Sequence, residues 1–334
     1  MFRLVDGRQE WEGELARFPQ VDFFHRYDYL KLESARLGGR AVLAICKEEV
    51  GAVALPLVLR PIPQAAHLED AVSPYGYVGL LASADTRQAL DSLCERLVQG
   101  LSALGLVALF SRSHPFLAAD LPDASPAGET LAISLRQNVR NYERGLNSGH
   151  IEEIRKLRAV VVVERGTSLA QVRRFYELYI RTMHRRKASP SYLFSEDYVN
   201  ELVAISGPDS SVDLAWVNGR LAAGCFFIRT PSLVHYHLSA SDPEAARYPA
   251  TKLLIDETVR GELALGKRDW LHLGGGLGGK KDSLHAFKAG FGGTPRPFAL
   301  AKRILDPVSY ELLSASCSEK PSPGFFPAYR SSAL

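Results

Sequence analysis

The sequence predicts an α/β (α+β) protein in two related halves, each a mixed, largely antiparallel sheet flanked by helices. Three observations carry this. The chain has 334 residues, 46% of them apolar, which exceeds what one hydrophobic core usually supports. Both halves read hairpin, strand, helix, strand in the same order. Asn218-Gly219 between two apolar runs marks a type I′ hairpin, the clearest local signal in the chain. Hairpins supply antiparallel pairs, and strand-helix-strand units supply parallel crossovers.

In the first half, Ala41 to Ile45 reads as a strand, followed by a Lys-Glu-Glu turn. The apolar run Val50 to Leu59, ended by Pro61 and Pro63, is its hairpin partner. Tyr75 to Leu80 reads as a Gly-rich strand, which would turn Tyr75 and Tyr77 to one side as rings lining a cleft. Thr86 is placed to cap a helix to about Ala103, with Leu90, Leu93, Leu97 and Leu101 on one face. Leu106 to Phe110 is a short buried strand. Ala118 to Gly128, rich in Pro, Asp, Ala and Ser, reads as a linker. Within Leu135 to Arg158, Arg136, Arg140 and Arg144 fall at i, i+4 and i+8 and would share a helix face. Such a face is ordinarily solvated; the sharper reading is contact with phosphates of a nucleotide-sugar, coenzyme or tRNA.

The second half opens with a capping-box spacing, Ser168 and Gln171, ahead of Val172, Phe175, Tyr179 and Met183 at helical intervals. Another helix follows Ser195, with Phe194 and Val199 spaced as a hydrophobic staple. The hairpin Val212 to Val217 and Leu221 to Ile228 leads to a third strand, Leu233 to Ser239. A helix from about Thr251 to Leu265 and a strand from Trp270 to Leu273 complete the set. The expected limits are 1–130 for the first domain and 131–305 for the second.

Forty basic against 37 acidic residues leave a net charge of +3, too little to argue nucleic-acid binding from composition and leaving only local patches to consider. The start, with charges every few residues, carries no signal-peptide pattern, and no run approaches the roughly 20 apolar residues needed to span a bilayer. A cytoplasmic protein without stable membrane insertion is the expectation. Cys46, Cys94, Cys225 and Cys317 lack metal-ligand spacing and are expected to be buried free thiols, with no metal site.

The chemistry concentrates in Trp270 to Gly293: a buried strand, a glycine loop and a short helix capped by Asp282. That helix would bury Leu284, Phe287 and Phe291 and leave Lys288 near the loop. GGGLGGKKDS is not a phosphate-binding P-loop, because Lys280 is followed by Lys281 and Asp282 rather than Ser or Thr.

This stretch, a strand, Leu-Gly-Gly and then Phe287-Lys288-x-Gly-Phe-Gly, resembles the closing motif of Fem-type aminoacyltransferases and their acetyltransferase relatives in the GNAT superfamily. Supporting pieces lie in order: Ser111-Arg112-Ser113-His114-Pro115, Phe175-Tyr-x-Leu-Tyr179, Tyr192-x-Phe194 and His235-Tyr236-His237. The resemblance covers the chain from about Phe23 onward. It implies a tandem GNAT-like acyltransferase fold, with residues 306–334 able to pack back on the first domain. It also implies transfer of an acyl group from an activated donor to an amine.

By match, Phe287 and Lys288 take the transfer site, where an ammonium offsets charge on the tetrahedral oxyanion or leaving group. His237 is a candidate base, against a histidine simply hydrogen-bonded within a sheet. Tyr75, Tyr77, Arg112, His114, Tyr192, Tyr236, Gly274, Gly275, Gly276 and Asp282 are the candidate substrate-binding residues. Arg112 and His114 suit a carboxylate or phosphate, or the anchoring of a loop; Asp282 is a helix cap first.

No tightly bound cofactor is expected; the acyl donor is aminoacyl-tRNA or acyl-CoA. An ordinary coenzyme-binding GNAT junction offers glycines and backbone N–H groups, whereas Ala245 to Ala250 has no glycine and Pro249 removes a donor. That tilts the expectation toward aminoacyl-tRNA. The leading acceptor is an amine of a cell-envelope precursor or peptide-like metabolite. Two alternatives stay open: an acyl-CoA-dependent N-acyltransferase for an amino sugar of a polysaccharide, and a non-catalytic GNAT-like binding module.

Overall fold

The computed structural model describes residues 1–84, 86–245, 247–316 and 324–333. They form two compact units, Met1–Ala127 with Pro297–Leu334, and Gly128–Arg296.

The first unit begins with β1 (Phe2–Val5), α1 (Arg8–Leu15), α2 (Tyr27–Leu37), β2 (Arg40–Glu48) and β3 (Gly51–Ile62). It continues through β4 (Ala65–Val72), β5 (Leu81–Ala84), α3 (Arg87–Ala103) and β6 (Ala108–Arg112). Thr86 Oγ1 accepts from the Ala89 amide at 3.2 Å, so the expected cap of α3 is present. Leu93, Leu97 and Leu101 pack on Val42, Ala44, Leu55 and Leu57 of the β2–β3 hairpin in one apolar cluster.

The expected strand at Tyr75 to Leu80 does not form. Gly76 (φ 98°) and Gly79 (φ 73°) adopt positive-φ backbone three residues apart, which interrupts the extended alternation a strand here would need. A Cβ on Gly79 would lie 2.5 Å from the His114 Cβ. The pairing comes later, where β5 joins β3 antiparallel.

The second unit comprises β7 (Ser125–Ser134), most of which belongs here, α4 (Val139–Gly145), α5 (Ser148–Arg158), β8 (Val161–Gly166), α6 (Leu169–Arg185) and α7 (Glu196–Ile205). β9 (Ser211–Val217), β10 (Arg220–Arg229), β11 (Leu233–Ser241), α8 (Ala250–Leu265), β12 (Trp270–Gly274) and α9 (Ser283–Ala289) follow. The Ser168–Gln171 capping box is formed. Asn218 (φ 50°) and Gly219 (φ 75°) make the hairpin turn in the left-handed region, as a type I′ turn requires. The sheet runs β7-β12-β11-β10-β9-β8. One face carries a core of Ile133, Ile154, Phe227, Leu254, Leu271 and Phe291, contributed in part by α5 and α8. α6 covers the other face, where Phe175 leaves no room for a Cβ on Gly224.

Two expectations are corrected here. The arginine face does not exist as one helix: α4 starts only at Val139, capped by Asn138, and Asn147 starts α5 after a break. Arg136 lies before α4 and pairs with Asp269. The expected linker also already contains the start of β7 at Ser125.

The chain then supplies β13 (Thr294–Ile304) and α10 (Pro307–Ala315). β13 pairs antiparallel with β6, from Leu300 opposite Arg112 to Ile304 opposite Ala108. Arg330 donates to the buried carboxylate of Asp70 at 3.0 Å and to the Pro61 carbonyl at 2.8 Å, fixing the C-terminal stretch to the first unit. Each sheet therefore follows the same plan. Three antiparallel pairings lead to a parallel one, β4 with β6 or β11 with β12, and then to an antiparallel sixth strand. That sixth strand is exchanged in sequence: β13 completes the first unit and β7 the second.

Cys46, Cys94 and Cys225 are buried free thiols, and Cys317 lies outside the described residues. Among the described residues no helix is long and apolar enough to cross a membrane.

Candidate active site

β12 delivers the chain into the glycine loop. Gly274, Gly278 and Gly279 take φ of 72°, 62° and 79°, backbone that side chains resist. Asp282 closes the loop: its Oδ2 accepts from the Leu277 amide and its Oδ1 from the His285 amide, each at 2.9 Å. These backbone hydrogen bonds hold its carboxyl below the usual range. A Cβ on Gly276 would sit 2.0 Å from the Lys280 carbonyl oxygen, and one on Gly275 2.7 Å from that of Glu129. The loop glycines thus permit close approach to β7 and to the loop's own cap. Glu129 also accepts from His285 Nε2 at 3.1 Å and pairs with Lys281 at 2.9 Å.

Lys288 lies in the last turn of α9 and is only 6% exposed. Its Nζ donates to the Gly275 carbonyl at 2.7 Å and stands 5.9 Å from the Tyr236 ring centroid. Burial lowers its pKa from 10.5 to about 8, opposed in part by the Asp282 charge. Phe287 packs against the second unit's core, its carbonyl accepting from His150 Nε2 at 3.0 Å. The fully buried Phe291 ring lies edge-on to Phe287 at 5.6 Å and to His150 at 4.6 Å.

Tyr236 and His237 diverge at a bulge, where Phe226 pairs with Leu238 but Phe227 with Tyr236. Tyr236 turns toward the core that holds Phe227. Its hydroxyl, buried beside Cys225 and Ser239, is pushed well above the usual tyrosine range. His237 packs on Phe226, ring centroids 6.1 Å apart, on the face opposite Tyr236. Burial, reinforced by His235, lowers its pKa to about 3. His235 and His272 are register partners across the parallel β11–β12 pair, their Nδ1 atoms 3.3 Å apart. The candidate base thus lies on the sheet face away from the Lys288 amine. Tyr192 ends a 3₁₀ turn, its carbonyl accepting from the Tyr179 hydroxyl at 2.8 Å.

Four other candidates cluster in the first unit. The Arg112 guanidinium lies over the Tyr77 ring at 5.4 Å and donates to the Gly76 carbonyl at 3.2 Å. The Tyr75 amide donates to Glu33 at 2.9 Å, and its carbonyl accepts from the Tyr29 hydroxyl at 2.6 Å. His114 Nε2 lies 2.9 Å from Asp22 Oδ2, and its Nδ1 accepts from the Phe116 amide at 3.2 Å. The neutral tautomer with the proton on Nε2 satisfies both bonds. Sequence reasoning missed Glu129 and His150: neither lies in a motif, and their partners are 156 and 137 residues away.

The junction before α8 fits poorly with a backbone anion cradle. Pro249 is its N-cap and no side chain caps the helix.

Residues 133–282 match the family model described as an acetyltransferase (GNAT) domain. Among solved structures, FemX superposes over 93% of this chain and 99% of its own, at 14% identity and TM-score 0.67. The C-terminal domain of a putative lysylphosphatidylglycerol synthetase from Agrobacterium fabrum matches over 90% and 92%, at 14% identity and TM-score 0.54. A conserved protein of unknown function from Bacteroides thetaiotaomicron matches over 90% and 99%, at 11% identity and TM-score 0.55. No curated protein sequence matches the chain. Residues 133–282 are thus a GNAT acetyltransferase-type domain, which makes the chain an acyltransferase. The fold of the chain is the Fem-like one, two GNAT-like units in one polypeptide.

Proposed function

We propose that the protein transfers an aminoacyl or acyl group to an amine of a cell-envelope precursor or peptide-like metabolite, with the transfer site at Phe287 and Lys288. The observation that carries this is the Lys288 amine, buried at the glycine loop with one hydrogen-bond acceptor, Gly275 O, among the described residues. An ammonium has three donors; here two remain to meet charge that develops on a substrate.

The acceptor amine attacks the acyl carbon, the C–N bond forms and the carbonyl electrons move to oxygen. As the tetrahedral species collapses, the bond to the leaving oxygen or sulfur breaks, and the proton lost by the amine balances the one taken up by that leaving atom. Lys288 donates to the oxyanion or leaving atom, a contribution of about 3 kcal/mol for one well-placed donor. Phe287 shields the site through its packing. His237, neutral down to about pH 3 and packed on the opposite face, serves the sheet rather than the acceptor proton.

Aminoacyl-tRNA is the favoured donor, because Pro249 occupies the junction where coenzyme pyrophosphate would need backbone N–H groups. The name of one neighbour, a lysylphosphatidylglycerol synthetase, is also that of an aminoacylated product. A second reading keeps acyl-CoA as donor and an amino sugar as acceptor; the acetyltransferase match over 133–282 favours it. Incubating the purified protein with charged tRNA and, separately, acyl-CoA, each with amine acceptors, decides between them. Transfer from tRNA alone is expected, and transfer from acyl-CoA alone overturns the tRNA assignment.

A further inference from the structure

α9 has only seven residues, too few to hold its shape by its own hydrogen bonds. Asp282 secures its N-terminal end. Its other end, which carries Lys288, is held by the α4–α5 junction through contacts with three successive parts of the closing motif. His150 Nε2 donates to the Phe287 carbonyl at 3.0 Å. The Asn147 amide donates to the Gly290 carbonyl at 2.9 Å, while Asn147 Oδ1 accepts from the His150 amide at 2.7 Å and so starts α5. Gly145 and Gly292 meet so closely that a Cβ on Gly292, itself at φ 71°, would lie 2.5 Å from the Gly145 carbonyl oxygen. A Cβ on Gly290 would strike His150 Cε1 at 2.5 Å. His150 is itself buried, and burial with the nearby Lys252 charge lowers its pKa, favouring the single-donor form that suits one carbonyl.

The glycines of Phe-Lys-x-Gly-Phe-Gly therefore receive the junction. We propose that residues 145–150 form a clamp that positions the Lys288 amine against Gly275, with His150 as the positioning residue. The proposal rests on Lys288 being at the transfer site. It predicts that loosening the clamp frees the end of α9 and releases Lys288 to solvent without altering any group that would touch substrate.

The test reads the clamp in two ways on the full chain. The first is the pH dependence of Lys288 acylation by acetic anhydride, followed by mass spectrometry. The second is turnover in the donor assay. Wild type should show a Lys288 labelling midpoint near 8. His150→Ala should move it up by at least one pH unit and lower kcat about tenfold or more, with KM within threefold. His150→Gln, which keeps a donor at similar reach, should restore both. Ile154→Ala, a core truncation in the same helix, should leave the midpoint in place.

An unmoved midpoint and unchanged kcat in His150→Ala overturn the clamp. If His150→Ala does not fold, Gly290→Ala, which pushes on the same imidazole, must raise the midpoint; a folded Gly290→Ala with the wild-type midpoint overturns the proposal equally. Lys288→Met separates the two ideas. If it retains full turnover, the transfer-site assignment fails, whereas its loss beside an unaffected His150→Ala removes only the clamp.

Discussion

Lys288 sits where an ammonium is costly to keep. The shift from 10.5 to about 8 corresponds to about 3 kcal/mol disfavouring the charged form in the folded state. In the unfolded chain the same group titrates near its ordinary value. Between about pH 8 and 10.5 the unfolded state therefore binds more protons, and stability rises with pH through that window; below pH 8 the whole cost is present. Lys288→Met is thus expected to be more stable than wild type by about 1–2 kcal/mol at pH 7, the lost bond to Gly275 offsetting part of the gain. That advantage should vanish by about pH 10.5, as denaturant unfolding at both pH values will show. Turnover, if it needs the ammonium, should fall as pH rises through about 8, and a flat profile from pH 7 to 9.5 would argue for a different role. His237→Gln is expected to keep turnover within about threefold, since an imidazole with a pKa near 3, packed on Phe226, is too weak a base to take the acceptor proton. The short helix that carries Phe287 and Lys288, with its Asp282 cap, was legible because it lies inside a contiguous motif. Its burial was not, because the acceptor carbonyl, the Tyr236 ring and His150 come from different elements.

At the scale of elements, what could be read was what is local. The α6 capping box, the α3 cap at Thr86 and the Asn-Gly hairpin each depend on residues within a few positions, and each is present. The Tyr75 to Leu80 strand was misread because alternating apolar residues outvoted two glycines whose positive φ the sequence does not display. The arginine face failed because Asn138 starts α4 only after Arg136, which pairs instead with the distant Asp269. Asp282 illustrates the same limit in the other direction: its helix cap was legible, its bond to Leu277 across the loop was not. Asp282→Ala should lower stability by about 1–2 kcal/mol through loss of the cap. Gly276→Ala should cost more, since its Cβ would meet the Lys280 carbonyl at 2.0 Å. Thermal unfolding of the two variants side by side checks the order; equal midpoints would mean that the loop is not anchored in this way.

At the scale of the whole molecule, the two-half organisation was legible from the repeated order of elements, but the exchange of the sixth strands was not. Periodicity marks a strand without naming its neighbour, and β7 and β13 find partners in sheets set by distant sequence. The exchange has a measurable consequence. Residues 125–296 contain every strand of the second sheet and should fold alone with a cooperative thermal transition. Residues 1–124 lack β13 and should not. The converse result in circular dichroism melts would contradict the assignment of β13 to the first unit.

The central claim is that this acyltransferase works through the buried amine of Lys288. Its most direct test is kcat of Lys288→Met with whichever donor supports wild-type transfer. A drop of at least about 100-fold, in a variant that remains folded, is predicted from the loss of one well-placed donor to developing charge; turnover within threefold of wild type would contradict it.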